Sequence, residues 1–159
     1  MPDFGYEIKQ RLVALPTERD QKLEGASDEE IQALEQYAGG PFPSVYKQFL
    51  KSLGRSAGEL LRGTEYSVTG RDRLRLREPA ERLLQRKQSS FVLPDTAFVF
   101  LMSQGYQFSF FFMNQGNDPP VYHYHEGDGQ PTQLASSLSN YLFKCIDACE
   151  ERNTLKQSG

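Results

Sequence analysis

The sequence predicts an α+β domain with N-terminal helices, a central antiparallel β-meander and a closing C-terminal helix. Two features of the 159 residues predict this order. Apolar residues recur at three- and four-residue spacing over residues 4–53 and again over 138–149. Between these blocks, from Phe91 to His125, aromatic residues crowd together and alternate with a period of two. A spacing of three to four marks one face of a helix, and a period of two marks a strand.

Taken in order, Phe4, Ile8, Leu12 and Leu15 form a helical stripe that Pro16 ends. Residues 17–26 are polar and read as a loop. "SDEEIQALEQYAG" opens a second helix, where Ser27 and Glu30 can form a capping box. Ile31, Leu34 and Tyr37 or Ala38 turn inward, and Gly39-Gly40 stops the helix. Pro43 or Ser44 opens a third helix with Val45, Tyr46, Phe49, Leu50 and Leu53 on its apolar face, closed by Gly54. A short strand is expected near 65–69. In "GRDRLRLREPAERLLQRKQ", Pro79 is expected to interrupt any helix, with a new one running from Pro79 to about Lys87.

"TAFVFLMS" (96–103) and "YQFSFFFM" (106–113) read as a hairpin turning at Gly105. Both are apolar on two faces, as central strands covered on both sides would be. "NQGNDPP" is a turn, "VYHYH" (121–125) a third strand, and "EGDG" a turn out of it. Ser136 or Ser137 caps the closing helix, with Leu138, Leu142, Cys145 and Cys149 as its core stripe. The polar residues 151–159 are expected to fray. No repeat or long linker divides residues 1–159, so a single domain is expected.

Net charge is −3, unevenly distributed. Residues 1–87 carry fifteen Lys/Arg and fourteen Asp/Glu, whereas 88–143 carry four acids and no basic residue. That second block should attract basic partners and argues against binding nucleic acid. No apolar run approaches the roughly eighteen residues of a membrane span. "MPDFGYEIKQRL" lacks the pattern of a signal peptide, so a cytoplasmic protein is expected. Cys145 and Cys149 share a helical face as core packing in a reducing compartment. Segment 71–87 holds seven basic and three acidic residues. It reads first as a solvated face with neighbouring ion pairs, and second as a patch for phosphate or an acidic partner.

Three stretches, in this order, resemble the SUKH superfamily, which includes fungal cell-wall-assembly regulators and bacterial immunity proteins. The first is "SDEEIQALEQYAGGPFPSVYKQFLKSLG", where Phe42-Pro43, Tyr46 and Phe49-Leu50 fit the family's proline-led aromatic helix. The second is "FVFLMSQGYQFSFFFMNQGNDPPVYHYHEGD", similar to its central meander, and the third is "LASSLSNYLFKCID", similar to its closing helix. Together they cover about 27–148. Where family members carry an Asn-Gly-Gly turn after the third helix, this chain reads Leu53-Gly54-Arg55-Ser56. The resemblance implies a non-enzymatic domain without a cofactor. For a short stand-alone chain it implies an immunity protein that binds and neutralises a cognate toxin. The alternative is a regulatory or scaffold domain for signalling or cell-wall-assembly partners.

The chemistry-bearing stretch is "PPVYHYHEGDG" (119–129), with both histidines of the chain. His123 and His125 share one strand face and Tyr122 and Tyr124 the other. Two histidines fall short of the four ligands zinc needs, so no metal site is expected. Neither a P-loop nor a dinucleotide fingerprint occurs, and "GRSAG" (54–58) follows a helix rather than a strand, so no catalytic residue is assigned. Binding is the better use of these side chains. The expected partner-binding residues are Asp118, Tyr122, Tyr124, Glu126 and Asp128. The expected partner is a toxin with a basic surface, such as a nuclease.

Overall fold

The computed structural model describes residues 3–15 and 21–158, with side chains described as far as 154. It has five helices and two antiparallel sheets in the order α1 (Phe4–Val13), β1 (Leu23–Glu24), α2 (Asp28–Ala38), α3 (Ser44–Leu53), β2 (Ser56–Ala57), α4 (Arg77–Arg86), β3 (Ala97–Ser103), β4 (Gln107–Phe112), β5 (Val121–His125), β6 (Thr132–Ala135) and α5 (Leu138–Ser158). The α+β class is as the sequence predicts. β3-β4-β5-β6 form a four-stranded meander, and β1 and β2 a separate two-stranded pair.

Each early helix follows its local chemistry. Asp3 caps α1, and Phe4, Ile8, Leu12 and Leu15 are all buried. The Ser27–Glu30 capping box is formed in both directions at α2, and Gly39 ends that helix at φ +90°. Tyr46, Phe49, Leu50 and Leu53 are the buried face of α3. Two glycines let backbones approach α3 closely. A Cβ at Gly5 would lie 2.3 Å from the Gln48 carbonyl oxygen, and one at Gly25 1.8 Å from that of Lys51. The amide of Ala26 then reaches the Leu50 carbonyl at 2.8 Å.

The meander is wrapped on both faces. On one, Tyr46 of α3 packs edge-on against Phe100 and Phe111 and tilted against Phe98, and Tyr141 of α5 meets Phe100 at 5.8 Å. On the other, Phe91 stacks on Phe110, which stacks on Tyr122, while Phe108 packs on Tyr124. α4 covers that side with Leu83 and Leu84 buried. The β3–β4 turn has φ +53° at Gln104 and +77° at Gly105, the mirror-image turn that suits strand twist. α1 and α5 clasp across the helical layer. Phe4 meets Phe143 edge-on at 5.2 Å, and Arg11 pairs with Asp147 at 2.6 Å and with Glu150.

Several boundaries differ from the sequence expectation. The segment 17–26 read as a loop contains β1, which pairs with β2; its residues 17–20 lie outside the described residues, as does Pro16, the expected stop of α1. The strand expected near 65–69 is reduced to one bridge, Glu65 to Met102, because turns replace the ladder after it. α4 starts at Arg77, with Pro79 inside its first turn, where the missing N–H would have had no helical partner. β3 is an edge strand despite its apolar faces, since helices cover its faces and Glu65 touches its edge. β6 was not anticipated; three of its four residues are exposed, so it lacks an apolar period. α5 runs to Ser158, past the point at which 151–159 was expected to fray, and Ile146 lies deeper in its stripe than Cys145.

Candidate protein-binding surfaces

The register Phe108↔Tyr124, Ser109↔His123 and Phe110↔Tyr122 sets the fate of each β5 side chain. His123 points to the α5 side, where its Nδ1 lies 2.9 Å from the Ser109 hydroxyl and its Nε2 2.9 Å from Gln107 Oε1. With the Gln107 oxygen accepting, the neutral ring donates from Nε2 and accepts the Ser109 proton at Nδ1. Burial, and then the charge of His125, hold His123 below the ordinary value of 6.5. A serine beside a histidine resembles a nucleophile with its base, but Ser109 is fully buried, so no substrate could reach its hydroxyl. Gln107, being neutral, could not stabilise an imidazolium as a carboxylate would. The trio therefore satisfies a buried hydroxyl within the sheet. His125 is exposed, lies edge-on to Tyr106 at 5.4 Å, and donates from Nδ1 to the Glu126 carbonyl at 2.8 Å. Among the described residues no three His, Cys, Asp or Glu side chains are gathered for a metal.

The five expected binding residues do not form one patch. Tyr124 is completely buried, packed on Phe108, because its strand face is covered on the α4 side; it cannot touch a partner. Asp118 is occupied at the start of α5, accepting the Ser139 amide at 2.8 Å and the Ser139 hydroxyl at 2.5 Å. It lies beyond the opposite end of β5 from Glu126 and Asp128, and five residues of strand span about 16 Å. Glu126 is partly neutralised by Lys87 at 3.5 Å. Asp128 is exposed in the turn, accepting the His125 amide at 3.2 Å.

What remains accessible is Tyr122, Glu126 and Asp128 on the β5–β6 hairpin. Tyr122 is half-buried and pairs with Gln133 of β6. The register shifts by one residue at that point, leaving Leu134 as the extra residue, and Leu134 is 44% exposed. Among the described residues β6 pairs only with β5, which leaves it at the edge of the sheet. The sequence reading missed β6 and Leu134; the cue available was the short Thr-Gln-Leu-Ala run before the Ser136-Ser137 cap.

The basic segment is not one solvated helix face. Its arginines split into two kinds. Arg77 is built into the fold, donating to the carbonyls of Leu93 (2.7 Å), Pro94 (3.0 Å) and Ala97 (3.3 Å) and to Glu81 (2.7 Å). Arg71, Arg73, Arg75, Arg82 and Arg86 are exposed, and none has a carboxylate oxygen within 4 Å among the described residues. The expected neighbouring ion pairs are thus absent for these five. Arg75 instead sits over the Tyr37 ring at 5.5 Å. Tyr37 donates to Glu78 and accepts the Arg77 amide, and burial raises its hydroxyl to about 12.

The cysteines are packing residues. Burial raises Cys145 to about 11 and raises Cys149 as well, so both remain thiols near neutral pH. No helix among the described residues is long and apolar enough to cross a membrane.

The family model described as SMI1-KNR4 cell-wall, of the SUKH group, matches residues 28–142. A search of curated proteins returned no match. The family match supports a protein-binding or immunity-type domain in general. The matched span holds α2, α3, α4, the complete meander and the first turn of α5; α2, α3, the β3–β5 strands and the start of α5 are the parts that carried the sequence resemblance, while α4 lay outside its three stretches. Matched over well more than half its length, the chain belongs to the SUKH superfamily.

Proposed function

We propose that this chain is an immunity-type protein that binds one cognate toxin in the cytoplasm and neutralises it by covering its working surface. It acts without catalysis, metal or cofactor of its own. The observation that carries the reading is the exposed β5–β6 hairpin. It presents Tyr122, Glu126, Asp128 and Leu134 at the edge of the sheet. An aromatic ring, an apolar side chain and two acids are the mixture from which protein interfaces are made. The acids would speed encounter with a basic groove such as a nuclease carries.

The test is co-expression. Using the full chain as bait in its own cells should recover one stoichiometric partner that is toxic alone and harmless with this chain. A Tyr122→Ala, Glu126→Lys, Asp128→Lys variant should keep its fold and lose protection. Retained protection in that variant removes the hairpin from the interface. Several weak, non-toxic partners would instead support a regulatory or scaffold domain. The second, oppositely charged surface on 71–86 favours that alternative.

A further inference from the structure

We propose that the arginine-rich hollow between the 70–75 turn and α4 is a second docking surface, and that its occupant is an acidic peptide segment of a protein partner. It lies on different elements from the β5–β6 hairpin, and the inference does not depend on toxin binding.

Two adjoining hollows define the surface. One, of about 380 Å³, is lined by Arg71, Arg73, Arg75 and Arg82; the next, of about 260 Å³, by Arg71, Arg82 and Arg86. Arg71 and Arg82 face both. Elsewhere in the described chain Arg11, Arg55 and Arg62 each hold a carboxylate, and within this segment Arg77 does. Five guanidiniums are gathered here without a carboxylate partner among the described residues; Arg86 donates to the Gly105 carbonyl at 3.2 Å, and the other four are unfilled carboxylate forks.

The backbone that presents them is strained. Arg73 and Leu74 are consecutive left-handed residues at φ +51° and +60°, a conformation unfavourable for residues with a Cβ. Leu74, only 2% exposed, anchors the turn, and the Arg73 and Arg75 amides close it on the Gly70 and Asp72 carbonyls. The fold thus holds Arg73 and Arg75 on either side of a fixed buried side chain. Tyr37 further orients Arg75 from below.

Carboxylates fit this lining better than a nucleic acid backbone does. Asp72 and Glu78 stand among the arginines, and Glu65 lines the second hollow. Burial, and then Asp72, raise Glu65 above the usual carboxylate range. The interspersed acids interrupt the positive lining, which disfavours an unbroken run of phosphates. Separate carboxylate side chains can enter the hollows between them. Pro79 and Met102 in the walls offer apolar contact to the peptide stem.

The experiment is NMR titration of the isotope-labelled full chain with a short peptide of alternating Glu and Gly, and with the Gln-for-Glu peptide as control. The acidic peptide should shift the backbone amides of 65–86 and the side-chain N–H signals of Arg71, Arg73 and Arg82, with a strong salt dependence. The Gln peptide should not. Arg71→Gln with Arg82→Gln should weaken binding by about tenfold or more. Arg73→Gly should also weaken binding while raising the melting temperature, since glycine relieves the left-handed strain. That opposite movement separates a binding role from a folding role. Absence of shifts at millimolar peptide, or shifts that survive the Arg71/Arg82 variant, overturns the proposal. Tighter binding of single-stranded DNA than of the peptide at the same arginines overturns the choice of occupant.

Discussion

Replacing Asp118 should damage the fold and leave partner recognition intact. Its carboxylate accepts the Ser139 amide at 2.8 Å and the Ser139 hydroxyl at 2.5 Å, while the Ser137 hydroxyl accepts the Asn140 amide at 3.1 Å. α5 therefore starts with two of its free N–H groups satisfied by side chains from different parts of the chain. Asp118→Ala removes one capping bond, one hydroxyl bond and a negative charge at a helix N-terminus. A lost cap costs about 0.5–2 kcal/mol, and a lost charge–dipole contact about 0.3–1 kcal/mol. Because Asp118 is only partly buried and water replaces part of what is lost, the net loss should be about 2 kcal/mol. For a chain of this size that lowers the melting temperature by about 4–8 °C. Urea denaturation of Asp118→Ala, Ser139→Ala and the double variant gives the coupling energy between the two side chains. Amide exchange should show α5 opening first in Asp118→Ala. A loss under about 0.5 kcal/mol, with α5 protection unchanged, would refute the capping role. Loss of partner binding without loss of stability would return Asp118 to the interface.

Tyr124→Phe should be neutral or stabilising by up to about 1 kcal/mol, because the Tyr124 hydroxyl is buried without a hydrogen-bond partner; urea midpoints of the two proteins check this. Stability should fall as pH drops below about 6.5, because a histidine whose folded value is depressed binds its proton more readily when unfolded. His123→Gln should flatten that slope, and denaturation at a series of pH values between neutral and mildly acidic checks it. Arg77→Met should cost about 2–3 kcal/mol, since it leaves carbonyls of 93–97 without their charged donor, and thermal melts read the loss directly. Ser27→Ala should cost about 1 kcal/mol at the α2 capping box, measured the same way.

How much the sequence revealed depended on whether one local rule decided the outcome. The Ser27–Glu30 box, the Gly39 stop and the Gln104-Gly105 turn are governed within a few residues, and all were legible. Pro79 misled because its rule is positional: a proline that breaks a helix interior is harmless in the first turn. The binding residues were harder. Alternation correctly put Tyr122 and Tyr124 on one face, but could not say that the face lies beneath α4 and Phe91, which buries Tyr124. Charge read along the chain also misplaced the acidic surface. The block 88–143 lacks basic residues, yet α4 returns Lys87 to Glu126 and Arg77 to Asp95. Folding thus blunts a polarity that is sharp in one dimension.

The clasp between α1 and α5 has a consequence for synthesis. Arg11 waits for partners 136 and 139 residues further along the chain, and Phe4 waits similarly for Phe143. At ribosomal rates of about 5–20 residues per second, the first helix goes on the order of ten seconds without its last wall. Until α5 emerges, the main support among the described elements for the apolar stripe of Phe4, Ile8 and Leu12 is α3, once that helix has itself been made. A nascent chain arrested before residue 138 should therefore be a good client for chaperones that hold exposed hydrophobic helices, and release should follow when α5 emerges.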